Sequence, residues 1–457
     1  MPLFVHRSTL PDSAAEAFAW HARPGALERL MPPWQPARVV ERSAEGIAPG
    51  TRVVLELSLG PLRTRWVAQH DHLCEGQEFR DIQLEGPFAA WTHTHRFHPV
   101  SETESILEDH VEYRLPGGPV GELVAGATVR RTLERMFTFR HERTRNDLAR
   151  HRRTRPRGPQ RVVLTGASGL VGSALAAFLS TGGHEVIRLV RRPPRAPREI
   201  GWDPARGTIE ASAFEDTDAV VHLAGESVAG RWTPQRKAAI RESRVQSTAL
   251  LARALAGLRH PPRVLVSASA IGVYGPLPPS IHADETHPAA RDFLAEVCQA
   301  WEAATTPAAQ AGIRVVHARL GVVLSAQGGA LARMLGPFRA GCGGVVGDGQ
   351  QVLSWIALDD VVGALHHLLF ADRVSGPVNV VAPAPATNAE FTRVLGRVLC
   401  RPTIVPLPAT AVRLLFGEMG ETLLLSGAHV VPAVLQASGF SFLYPSLDEA
   451  LRAELGR

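Results

Sequence analysis

The chain has 457 residues, too many for one ordinary domain, and 45% of them are apolar, enough to bury two or three cores. Its net charge is +5, carried almost entirely by arginine, with Lys237 the only lysine. No apolar run approaches the ~18 residues that span a bilayer, and no basic stripe with interleaved aromatics marks a nucleic-acid surface, so neither membrane nor nucleic acid is expected as a partner.

The opening stretch, MPLFVHRSTLPD, lacks the basic, apolar and small-residue regions of a signal peptide. Cys74, Cys298, Cys342 and Cys400 are scattered, with neither pairing nor metal-type spacing. Both features fit a reducing cytoplasm. Residues 1–150 read as α+β. Two short helical patches, SAAEAFAWH and GALERLM, precede a set of strands. TRVVLELSLG alternates, with Val53, Leu55, Leu57 and Leu59 on one face. LRTRWVAQHDHL, EFRDIQLEG, AAWTHTHRFHPV and SILEDHVEYRLP follow between glycine, proline and acidic turns. A long helical pattern closes the segment, with Leu123, Ala127, Leu133, Met136 and Phe137 on one side. In WTHTHRF, Trp91, His93, His95 and Phe97 share a strand face. Two histidines at i and i+2 suit zinc, but a site needs a third ligand and the sequence offers no evident partner. A cavity wall or half-exposed strand is expected there, and no metal.

Residues 151–160, HRRTRPRGPQ, are polar and without periodicity, a natural linker. Beyond them RVVLTG, HEVIRLV, DAVVHLAG, RVLVSASA and IRVVHARLGVVL are nearly continuous apolar runs separated by helical stretches. That is the pattern of a doubly wound parallel α/β sheet covered on both faces. The sheet domain is placed at 161–375, and a smaller, Pro-rich substrate-side lobe at 376–457.

RVVLTGASGLVGSALAAFL is a strand, a glycine turn and a helix. Gly166 permits the tight turn, Gly169 lets a pyrophosphate approach the backbone, and Gly172 lets the helix pack close to the strand. Gly166, Ser168, Gly169, Leu170, Val171 and Gly172 are therefore cofactor-binding candidates, with the helix N-terminus facing the phosphates. NAD-preferring sites place an acid after the second strand. Here that strand ends in Arg191-Arg192. A guanidinium suits a 2′-phosphate, so NADP(H) is the expected cofactor. HLAGE ends the next long strand, where Leu223, Ala224 and Gly225 let a nucleotide run past, as do Ser267 and Ala268 at the end of RVLVSASA. Lys237, Arg241 and Arg244 fall on one helix face.

Together the glycine loop, HLAGE, SASAIGVYG, GDGQQVLSWIALDD, GPVNVVAPAPATNAEF and GFSFLYPSLDEAL resemble the extended short-chain dehydrogenases/reductases. More closely, they resemble the epimerase family proteins grouped with nucleoside-diphosphate-sugar epimerases. The likeness covers roughly residues 160–455. The first 150 residues, through FHPVSETESILEDHVEYRLPGG and the basic helix after it, resemble START/polyketide-cyclase-like helix-grip domains, which implies an apolar ligand cavity. The resemblance also implies a Rossmann-type sheet, and a Tyr-x-x-x-Lys pair in which lysine lowers the tyrosine pKa. This chain has no such pair: four residues beyond Tyr113, Tyr274 and Tyr444 lie Gly117, Pro278 and Asp448. In the helix DFLAEVCQAWEAA the corresponding positions hold Leu294 and Cys298. An unassisted tyrosine titrates near pH ~10 and is a poor proton shuttle at neutrality. Ser269, Tyr274 and Glu226 remain the catalytic candidates. The favoured reading is an NADP(H)-dependent oxidoreductase or epimerase-like enzyme acting on a small carbonyl or sugar-like substrate. The alternatives are a non-catalytic NADP(H) sensor or scaffold, and a lipid or aromatic-ligand carrier regulated by NADP(H).

Overall fold

The computed structural model describes residues 2–35, 37–59 and 62–457. The chain divides into two units. The first holds the chain up to Pro159 with Ala177–His184 and Gly456; the second holds Gln160–Ala176, Glu185–Leu455 and Arg457. Among the described residues no helix is long and apolar enough to cross a membrane.

In the first unit, β1 (Leu3–Leu10), β2 (Ala37–Arg42), β3 (Arg52–Leu59), β4 (Leu62–Cys74), β5 (Glu78–Glu85), β6 (Ala90–Ser101) and β7 (Glu104–Arg114) form one antiparallel sheet in the order β1-β7-β6-β5-β4-β3-β2. Its helices are α1 (Ala14–Ala22), α2 (Ala26–Leu30) and the long α3 (Gly118–Thr154). Ser13 caps α1 by accepting from the Glu16 N–H. Leu133 and Phe137 of α3 pack with Phe4, Trp91, Val111 and Tyr113. This is the helix-grip arrangement. Leu123, expected on the same stripe, is 88% exposed, and Ala127 is exposed as well, because the first turns of α3 extend past the sheet core. β1 and β2 were not expected as strands. β1 carries His6 and Arg7 among its apolar residues, yet pairs with β7 along its whole length. α3 also runs through His151 to Thr154, so the first part of the expected linker is helical.

The second unit is built on an eight-stranded sheet. In spatial order its strands are Thr208–Ile209, Glu199–Asp203, Glu185–Val190, Arg161–Thr165, Ala219–His222, Val264–Ala270, Arg314–Leu320 and Gly376–Val380. All neighbours are parallel except the outermost pair, Glu199–Asp203 with Thr208–Ile209. The order reverses between Arg161–Thr165 and Ala219–His222, the topological switch point of a Rossmann sheet. Val163, Ile187, Val220 and Leu265 bury one face under Leu251 and Leu255 of the helix Pro234–Ala256.

A separate core joins Leu331 and Leu335 of the helix Gly329–Arg339, Trp355, Phe391 and Leu395 of Asn388–Leu399, and Leu447 and Leu451 of Leu447–Leu455. The Asp360 carboxylate receives the N–H groups of Leu443 and Tyr444 at 2.8 and 2.9 Å, fixing the returning chain to the helix of the SWIALDD stretch. The lobe thus draws on residues before 376, and Gly376–Val380 belongs to the sheet. The expected boundary between them is displaced because the chain leaves the sheet and then returns to it.

Candidate functional site

The glycine loop sits at the switch point, at the carboxyl end of Arg161–Thr165. Gly166 has φ +68°, and a Cβ there would stand 2.7 Å from the Leu223 carbonyl oxygen. A Cβ on Gly172 would stand 2.1 Å from the Gly166 carbonyl oxygen, so the helix Leu170–Thr181 starts against the turn itself. Ser168 and Gly169 are exposed at the crest of the loop, while Leu170 and Val171 are half-buried behind it. A Cβ on Gly169 meets only the Gly166 oxygen, at 3.3 Å. The residues present fit a dinucleotide pyrophosphate: an open crest, a close-packed base and a helix N-terminus behind it.

A buried tie unforeseen from sequence holds the neighbouring strand ends. The Thr165 hydroxyl accepts from Leu223 N and Ala224 N, both at 3.1 Å, and lies 2.8 Å from His222 Nδ1. His222 Nε2 reaches the Thr248 hydroxyl at 2.9 Å. Burial lowers the His222 pKa to about 4, so the ring is neutral and bridges two hydroxyls. This tie fixes the backbone of Leu223 and Ala224 beside Gly166. Gly225 is exposed, and a Cβ on it would meet Arg244, whose guanidinium lies over Trp301 at 5.0 Å.

The two arginines after the second strand differ. Leu189 pairs with Thr165, so Arg191 and Arg192 follow close to the loop. Arg192 is held bidentately by Glu199, at 2.9 and 2.6 Å. An acid thus arrives at the start of the next strand, Glu199–Asp203, and neutralises Arg192. Arg191 is exposed and, among the described residues, has no ion-pair partner.

Ser267 and Ala268 are buried at the end of their strand, and the Ser267 hydroxyl lies 3.4 Å from the Ala268 carbonyl. Two of the three catalytic candidates, Tyr274 and Ser269, are buried. Tyr274 is 1% exposed; its hydroxyl donates to Asn379 Oδ1 at 2.7 Å and accepts from Arg319 at 2.9 Å. Burial raises its pKa further, against the pull of Arg319. Ser269 donates to Glu302 at 2.7 Å, and Arg319 grips the same carboxylate at 2.8 and 2.9 Å. Burial would raise the Glu302 pKa, but the hydrogen bond from Arg319 wins and holds it below the usual carboxylate range. Cys298, in the lysine's place, is a buried thiol pushed up to about 11 by burial and then by Glu302. These residues brace the carboxyl ends of three strands. Glu226 is half-exposed and paired with Arg236 at 2.9 Å, and Lys237 pairs with Glu418 at 2.6 Å. The helix face expected to carry Lys237, Arg241 and Arg244 is thus mostly tied to protein.

The first unit contains a cavity of about 190 Å³. Val53, Leu55, Leu57, Trp66, Trp91 and Met136 line it, and His70, Asp81, His93 and His95 supply a polar wall. The cross-strand register creates that wall: His93 stands opposite Asp81, and His95 opposite Asp109. Asp81 Oδ1 lies 3.3 Å from His93 Nδ1 and 3.9 Å from His95 Nε2. Their ligand atoms lie within 4.8 Å of one another. Contrary to the expectation from WTHTHRF alone, a third ligand-type residue, Asp81, stands beside the two histidines. Behind the histidines, buried Asp109 accepts from His93 Nε2 at 3.1 Å and His141 Nε2 at 2.6 Å. His95 Nδ1 stands 2.6 Å from the same carboxylate. Burial would lower the His93 pKa, but the Asp81 charge and the hydrogen bond to Asp109 raise it to about 9; burial and the His93 charge lower His95 to about 4.

Residues 162–381 match the NAD dependent epimerase/dehydratase family, residues 10–139 match the polyketide cyclase / dehydrase and lipid transport family, and residues 407–454 match a domain of unknown function. An epimerase family protein of Mycobacterium tuberculosis is 45% identical over 291 residues, 64% of this chain and 96% of its own length. The crystal structure of the nucleoside-diphosphate sugar epimerase from Corynebacterium glutamicum superposes with TM-score 0.81 at 34% identity, covering 99% of this chain and 90% of that one. The human epimerase family protein SDR39U1, solved with NADPH, gives TM-score 0.60 at 37% identity, covering 65% of this chain and 99% of that one. With a Rossmann sheet, a glycine-rich loop at its switch point and relatives matched over nearly their whole length, the chain belongs to the epimerase family, here joined to a polyketide cyclase-like first unit.

Proposed function

We propose that the second unit binds NADP(H) in preference to NAD(H) and serves an oxidoreductase or epimerase reaction on a small carbonyl or sugar-like substrate, while the first unit holds a hydrophobic ligand in its cavity. The observation that carries the cofactor choice is Arg191, exposed beside the glycine loop while its neighbour is spent on Glu199. A guanidinium there favours a 2′-phosphate. The human relative solved with NADPH supports the same choice. Bound nicotinamide supplies or accepts a hydride; the chain's own part is to cradle the pyrophosphate at Gly166–Gly172 and to hold the ribose side against Leu223–Gly225. Four free cysteines support a reducing compartment.

The test is titration of the purified chain with NADPH and NADH. NADPH binds more tightly, and Arg191→Glu weakens it by roughly tenfold or more, a difference of ~1.4 kcal/mol, with little effect on NADH. Equal loss for both cofactors, or none, removes the argument from Arg191.

A second reading, a non-catalytic NADP(H) sensor, is favoured by one observation: the hydroxyls of Ser269 and Tyr274 are both consumed inside a buried network. Oxidation of NADPH in the presence of carbonyl substrates separates the two readings.

A further inference from the structure

We propose that Asp81, His93 and His95 form a binding site for a divalent first-row transition-metal ion, zinc being the probe, on the wall of the first unit's cavity. The three side chains present one carboxylate and two imidazoles, the ligand set of an open zinc site with three protein ligands. They come from adjacent strands, β5 and β6, whose register places Asp81 directly opposite His93. A rigid antiparallel ladder holds them, rather than a loop.

The histidines are also oriented as ligands. Each turns one nitrogen to the carboxylate of Asp109: His93 Nε2 donates at 3.1 Å, and His95 Nδ1 lies at 2.6 Å. That leaves His93 Nδ1 and His95 Nε2 turned toward Asp81. A carboxylate behind a ligating histidine sets its tautomer and raises its basicity. Asp109 serves both histidines, and His141, itself 2.6 Å from the Ser8 hydroxyl, holds Asp109 from the far side.

One pair of atoms argues for a cation between them. With its proton on the Nδ1 side, His95 Nε2 is an electron-pair donor facing Asp81 Oδ1, another acceptor, across 3.9 Å. No hydrogen bond joins two acceptors at that distance. An ion with bonds of about 2.0–2.2 Å to each would satisfy both, drawing the ligand atoms to roughly 3.3 Å apart in a tetrahedral site. A buried ion-pair network is the competing account. There a proton on His93 bridges Asp81 and Asp109, and the nearby Arg140 completes the charge balance. The two accounts differ in whether metal displaces that proton.

The three ligands line the cavity, so a bound ion meets whatever the cavity holds. An oxygen-bearing ligand, a carbonyl or carboxylate on an otherwise apolar molecule, suits that position.

The experiment uses the full chain, stripped with a chelator and dialysed. Zinc is measured per chain by native mass spectrometry and calorimetry, and Co²⁺ by its visible absorption. The expected result is one Zn²⁺ per chain and a cobalt spectrum of nitrogen and oxygen ligation. Asp81→Asn and His95→Gln should each weaken Zn²⁺ affinity at least tenfold, with circular dichroism confirming that each variant is folded. No stoichiometric uptake overturns the proposal. So does uptake unchanged in both variants. If either variant fails to fold, the wild-type cobalt spectrum decides alone: a thiolate-to-cobalt charge-transfer band would assign the ion to the exposed cysteines, Cys342 or Cys400, and overturn the site.

Discussion

Gly169 and Gly172 lie three residues apart in one motif, yet the structure gives them different duties. A Cβ on Gly172 would press at 2.1 Å on a backbone oxygen that has no room to retreat. On Gly169 it would stand 3.3 Å from that same oxygen and otherwise face open space at the crest. Gly172→Ala should therefore lower the melting temperature and weaken NADPH binding together. Gly169→Ala should leave the melting temperature near that of the wild type and weaken NADPH binding alone, because its methyl meets the cofactor rather than the protein. Thermal melts and NADPH titrations of the two variants check this. Equal destabilisation by both would mean that the crest, too, is packed against protein. Tyr274 makes the complementary point. Its place in SASAIGVYG suggested a proton donor, but its environment was set by Arg319 and Asn379, 45 and 105 residues further on, which no local pattern connects to it.

At the scale of elements, apolar periodicity located most strands because burial of one or both faces leaves a trace in the sequence. The five long runs of the second unit became five of the eight strands of its main sheet. The missed ones, Glu199–Asp203, Thr208–Ile209 and Gly376–Val380, are short or lie toward the sheet edges, where fewer residues need be apolar. Register was not legible at all. Asp81 and His93 lay in two correctly placed strands, and only the ladder revealed them as opposite partners. The tie through His222 was hidden for the same reason, since Thr165 and Thr248 come from different elements. It carries a pH signature. Its neighbours are Thr165, Ser247, Thr248 and the ring of Trp202, none of them charged. Burial lowers the His222 pKa from 6.5 to about 4, so the folded state resists protonation that the unfolded chain accepts. The stability it contributes is complete above pH 6.5 and lost as the pH falls toward 4, on the order of 3 kcal/mol in all. In thermal melts from pH 7 to pH 4.5, the transition that NADPH shifts should fall more steeply for the wild type than for His222→Gln. Parallel slopes would mean that His222 titrates normally.

At the scale of the whole molecule, the question is which unit the cofactor chemistry needs. The M. tuberculosis relative is matched over 96% of its length, and the human structure over 99% of its chain, by about two thirds of this one. The C. glutamicum structure is matched across both units. Family members thus occur with and without a counterpart of the first unit. The glycine loop, the Thr165–His222–Thr248 tie and Arg191 all lie in the second unit, and the cavity with its histidine wall lies wholly in the first. A chain of residues 160–457 keeps Ala177–His184, the end of the glycine-loop helix and the turn after it, and so keeps every residue assigned to the cofactor. It should fold and bind NADPH within about threefold of the full chain, a difference below ~1 kcal/mol. Fluorescence titration of both chains measures this. A truncated chain that folds but does not bind NADPH would show that the first unit completes the cofactor site, and the cavity ligand would then have to be sought as part of the same reaction.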